Sequence, residues 1–169
     1  MNILLRKALT DLALLGLLPI LRVVTPFNDW NNRIGASIGE GAFGADLNEF
    51  LLGYSEPPTG PWYTQSFTWC YYVPLLALII YYHVIDKSRM RGTGTWFAFL
   101  AAAALVCGII AYGVIVSNEN LVPSLEQVGF VPRFVWALLN VLFAALLGTL
   151  FSFALAPAAV NTRLTPFGR

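Results

Sequence analysis

Charge, histidine and cysteine are all scarce in this chain, and each scarcity removes a class of function. Only 11% of the 169 residues are charged, ten basic and nine acidic, whereas a water-soluble domain carries roughly a quarter. So few charges cannot cover a soluble surface of this size. The net charge of +1 leaves no basic stripe of the kind nucleic acid requires, so no nucleic-acid partner is expected. One histidine, His83, and two cysteines, Cys70 and Cys107, supply neither a C-x-x-C nor a metal-ligand spacing. No metal site and no cofactor is expected from them. G-x-S-x-G, H-E-x-x-H, a Walker motif and histidines at haem spacing are also missing, which points away from an enzyme.

Apolar length is what the chain has, with 57% of its residues apolar. A bilayer core about 30 Å thick needs roughly 20 such residues in helical form. Residues 67–85, 95–116 and 134–156 meet that need without one Asp, Glu, Lys or Arg. No soluble helix requires apolar residues on every face for so long. Residues 8–27 form a weaker fourth segment, interrupted by Asp11, Pro19 and Arg22. It is expected to span, with an interfacial helix as the alternative, and no small-x-small cleavage pattern follows it. Asp11 is placed to pair with Lys7 one turn away, and Arg22 to reach the outer headgroups.

Lys and Arg in short loops are retained on the cytoplasmic side. Arg6, Lys7, Lys87, Arg89, Arg91, Arg163 and Arg169 then face inward and Arg22, Arg33 and Arg133 outward. Both termini are therefore expected in the cytoplasm, within a cell (plasma or inner) membrane. Loops follow at 28–66 outside, 86–94 inside and 117–133 outside, with a cytoplasmic tail at 157–169. Trp62, Tyr63, Trp69, Tyr81, Tyr82, Trp96, Tyr112 and Trp136 fall at span edges, as an aromatic belt would. On these bounds Cys70 lies near the outer surface and Cys107 deeper, too far apart in depth for a disulfide.

In the long outer segment, Phe43, Leu47, Phe50, Leu51 and Tyr54 recur at helical offsets. They predict a short amphipathic helix, which either caps the bundle or docks a partner. The run GEGAFG places Gly39, Gly41 and Gly44 in a G-x-G-x-x-G spacing. No strand precedes it and no βαβ unit surrounds it, so a tight or flexible loop is expected instead of a nucleotide site.

His83 precedes Asp86 by three residues and Lys87 by four. His83 and Asp86 are weak candidates for a proton site, against the plainer role of an interfacial pair. Asn140 heads a line of small residues, Ala144, Gly148, Ser152 and Ala156. The preceding span carries Ala101, Ala104, Gly108 and Ala111. Such stripes let two membrane helices approach closely, with a buried amide bridging them.

The layout of four spans, a long first outer loop and a short basic inner loop resembles the claudin-like tetraspan arrangement in topology alone. The outer loop has no cysteine pair and no tryptophan signature around one, so no residue role carries over. The expected fold is a single all-α membrane domain over 1–169, four transmembrane helices in a bundle. The expected function is a non-enzymatic subunit that anchors or senses for a larger membrane assembly through its outer loop. Its expected partners are the lipid bilayer and other membrane subunits or further copies of itself. The alternative is a small oligomeric channel or transporter with Asn140, Thr149 and Ser152 on its pathway, and a lipid-directed membrane enzyme comes third.

Overall fold

A computed structural model describes residues 3–56, 58, 60–85 and 92–156. Every element among them is a helix: α1 (Ile3–Val24), α2 (Phe27–Ala42), α3 (Ala45–Leu52), α4 (Trp62–His83), α5 (Thr93–Asn118), α6 (Pro123–Glu126) and α7 (Phe130–Leu155). At about 1.5 Å per residue, the 26 residues of α5 and of α7 outreach a bilayer core. These two helices are long and apolar enough to cross a membrane. The α1–α2 pair meets the same requirement jointly, bent by 91° at its break, which brings the number to three if that pair is one span.

The breaks follow from local chemistry. Pro26 has no N–H to continue the α1 ladder, so the helix stops at Val24 and a new one starts at Phe27. Gly44, at φ 83°, takes a backbone conformation that side chains resist and turns the chain from α2 into α3. Gly53, at φ 85°, closes α3 in the left-handed region, its N–H returning to Phe50 O.

Helices α4, α5 and α7 form the packed centre. A Cβ added at Gly108 would lie 2.5 Å from Val141 Cγ2 and 3.2 Å from the Ala137 carbonyl oxygen. One added at Gly148 would overlap Leu100 and sit 3.2 Å from Pro74 Cβ. Ala104 and Ala144 pack with the two cysteines in a mid-helix cluster. Ala111 lies in the cluster around Trp136 and Ala156 in the one around Trp96, while Ala101 is exposed. Helix α1 runs beside α4 and is tied to it by polar contacts. Tyr71 donates to Leu14 O at 2.6 Å, Tyr72 to Leu15 O at 3.3 Å, and Arg22 to Thr64 O and Thr68 Oγ1 at 3.2 and 2.6 Å.

Four expectations are corrected. The stretch 28–66, read as a loop with one short helix, holds two helices, α2 and α3. Gly, Asn and Ser weaken α2's helix propensity, and its order comes from packing. The aromatic residues assigned to a belt are largely core. Tyr63, Tyr81, Tyr82, Trp96 and Trp136 are all buried, because each faces a neighbouring helix and not the lipid. Cys70 and Cys107, expected at different depths, pack in one cluster, both free and buried. Helix α4 begins at Trp62, five residues before the expected start of that span, which moves Cys70 inward to the depth of Cys107. Finally, Asp11 bonds His83 at 2.6 Å and not Lys7. Arg22 turns inward to α4. Asp86 and Lys87, expected beside His83, lie outside the described residues, as do the tail and most of the inner loop.

Candidate functional site

Three places gather the chemistry of this chain: a cap at one end with a cleft beneath it, a polar centre, and an aspartate–histidine contact at the other end. The cap is built on Tyr63, in the first turn of α4. Its hydroxyl donates to Asn48 Oδ1 at 2.6 Å, and its carbonyl accepts from Asn31 Nδ2 at 2.9 Å and from Ser66 Oγ at 3.0 Å. Thr64 donates to Asn32 Oδ1 at 2.8 Å. These bonds clip α2 and α3 to the top of α4. The glycines of α2 permit it, because a Cβ at Gly35 would enter the Tyr63 ring and one at Gly39 would meet the Tyr63 hydroxyl. The Gly-rich run is thus helix for Gly39 and Gly41 and a turn at Gly44, and not one continuous loop.

The amphipathic helix is α3, with Leu47, Phe50 and Leu51 fully buried and Phe43 nearly so. They pack on Trp136, Ile115, Leu125 and Val122. These side chains are buried in the chain's own core, the capping arrangement among the two readings of this helix. Tyr54, expected on the same face, lies beyond the end of α3 and is 72% exposed, since Gly53 turns the chain away before its register is reached. The outer surface also carries a second stripe that hydropathy did not single out. Trp30, Ile34 and Ile38 of α2 stand four residues apart and are each more than half exposed.

Below α2 lies a cleft of about 200 Å³ between α2, α4 and α7. Phe43, Tyr63, Phe67, Trp136 and Phe143 supply rings, and Asn31, Ser66 and Asn140 supply polar groups. No charged residue lines it. Asn140, 5% exposed, donates one amide hydrogen to Trp136 O at 2.9 Å and accepts from Cys70 Sγ at 3.4 Å. An amide nitrogen carries two hydrogens, and the second has no partner among the described residues. The buried indole N–H of Trp136 is in the same condition.

The other polar residues on the central helices are satisfied internally. Ser152, fully buried, accepts from Trp96 Nε1 at 3.0 Å, and Thr149 donates back to Ala145 O at 2.8 Å. With Asn140 turned toward Cys70, the three residues offer no continuous polar face. At the outer α5–α7 connection Arg133 holds Glu119 by two bonds of 2.9 and 3.0 Å and also donates to Val128 O and Leu125 O. Those hydrogen bonds, and then the guanidinium charge, hold the Glu119 carboxyl below the ordinary carboxylate range.

At the opposite end, His83 Nε2 and Asp11 Oδ2 join α4 to α1, both part-buried. Lys7, one turn from Asp11, is 6% exposed. No cluster of three metal-ligating groups occurs among the described residues. Matching depths could have found the Asp11–His83 pair, since both stand at the inner ends of their segments. Tyr63 as a hub gave no signal, because a tyrosine near a span edge is commonplace. Set beside protein-family models, curated proteins and solved structures, the chain matches none.

Proposed function

We propose that the chain is a non-enzymatic integral membrane subunit of four spans, α1, α4, α5 and α7, that anchors a larger membrane assembly through its outer cap. The observation that carries this reading is the attitude of α2. It turns by 91° from α1, so when α1 runs along the bilayer normal, α2 lies in the membrane plane. Its exposed Trp30, Ile34 and Ile38 then enter the boundary between headgroups and acyl chains, as in interfacial helices. Asp29, Arg33, Ser37 and Glu40, all exposed, are left for water and for a partner. The Tyr63 hydrogen bonds make this platform rigid. Seven-to-three partition of the basic residues supports cytoplasmic termini.

The reading is tested by solubilising native membranes mildly and isolating the chain with whatever it holds. Co-purification with defined membrane proteins at fixed stoichiometry, lost on charge reversal at Arg33 and Glu40 together, is the expected result. A chain that elutes alone and passes ions or solutes in liposomes would replace the anchoring reading with the channel.

A further inference from the structure

The cleft between α2, α4 and α7 has the chemistry of a binding site and no occupant from the chain's own side chains. Five aromatic rings wall it, and rings receive a flat ring best, edge-on or offset-stacked. Its volume of about 200 Å³ suits one such ring, since a dry cavity near 150 Å³ holds benzene. With no lining charge a phosphate would find no cation here, and an unmet amide donor calls for an acceptor and not for an ammonium. One lining residue, Asn140, has a donor without an acceptor, its second amide hydrogen. A buried donor left unmet is costly, and a carbonyl oxygen would satisfy it. The mouth is apolar and continuous with the outer surface through Ile34, Ile38 and Phe143, which are 62%, 52% and 37% exposed. An apolar tail could leave by that route.

We propose that this cleft binds a lipophilic quinone-type molecule: an uncharged planar ring bearing a carbonyl, with an apolar tail that stays in the lipid. The ring lies among Phe43, Tyr63, Phe67 and Trp136, its carbonyl oxygen accepts from Asn140, and the tail passes between Ile38 and Phe143. Binding alone is assigned, with no electron transfer. The inference rests on the membrane placement of the chain, because the tail is taken to come from the bilayer.

The test uses the purified chain and a radiolabelled decyl-benzoquinone, read by scintillation proximity. Saturable one-to-one binding is expected. It should weaken about tenfold in Asn140→Leu, which removes the amide donor at similar volume. Phe143→Ala, altering a wall that is 37% exposed, should weaken it comparably, and an unchanged melting temperature in this variant guards against misfolding as the cause. Excess uncharged diacylglycerol should not compete. Non-saturable uptake, binding unchanged in both variants, or equal competition by diacylglycerol overturns the proposal, the last by making the cleft a plain acyl-chain groove. Flotation of the same protein with liposomes reads the membrane placement separately.

Discussion

Two polar side-chain pairs illustrate what single residues contribute. The carboxyl of Glu119 is held below its ordinary range by Arg133. A lowered folded-state pKa contributes stability that is fully present above the ordinary carboxylate value, and that stability is lost as pH falls through the folded value. Thermal unfolding in detergent should therefore shift downward on acidification below the usual Glu range, and Glu119→Gln should flatten that part of the profile. An equal acid shift in the variant would assign it to other carboxylates. At the inner end, Asp11 and His83 tie α1 to α4 at 2.6 Å. A double-mutant cycle with Asp11→Ala and His83→Ala should give a coupling of about 1 kcal/mol. Additive single effects would leave α1 held by the Arg22, Tyr71 and Tyr72 hydrogen bonds and by the burial of Leu18.

Among the helices, the close approach of α5 to α7 is the most demanding. Gly108→Ala places a Cβ against Val141 and the Ala137 carbonyl, and overpacking of this kind costs about 1–3 kcal/mol. Gly113, in the same helix, has nothing within 4 Å of its Cβ position. Gly113→Ala should leave melting unchanged or raise stability by up to about 1 kcal/mol. Equal melting of the two variants would mean that α5 and α7 do not meet at Gly108. Leu51→Ala, in the fully buried face of α3, should cost about 2–5 kcal/mol. A variant that keeps its stability while losing a co-purifying partner would restore the docking role to that face.

Much of this arrangement was legible in the sequence because apolar length and small-residue spacing are local properties. Residues 95–116 sit within α5, and 134–156 overruns α7 by one residue, and Gly108 and Gly148 announce themselves by lacking side chains. The cap was only half legible. Leu47, Phe50 and Leu51 show their helical spacing, but which surface they cover depends on Trp136 and Ile115, some 60 or more residues away. Helix α2 was hidden by its glycines, whose purpose appears only once Tyr63 is seen against them. Trp96 and Tyr81 look like belt residues because periodicity cannot say whether a ring at a helix end turns inward.

At the scale of the whole molecule, orientation is the property most open to measurement. In a background lacking Cys70 and Cys107, a cysteine at Ser37 should react with an impermeant maleimide added outside intact cells. One at Ser88 should react only after permeabilisation, and the reverse pattern would invert the topology. Ser37 is exposed on α2, so failure to label there cannot be blamed on burial.

The aromatic burden of α4 has a consequence for how the chain is made. Tyr63, Cys70, Tyr71, Leu75, Leu78, Tyr81 and Tyr82 all turn toward neighbouring helices, and Leu76 and Ile80 are its most exposed large apolar residues. A segment whose hydroxyl-bearing rings find their acceptors on other helices gains less from entering lipid alone than α5 or α7 does. During synthesis α4 emerges before both of its main partners. On the four-span reading proposed above, α4 is expected to enter together with α5 as one half of a hairpin, which would make its residence in the bilayer a property of the pair.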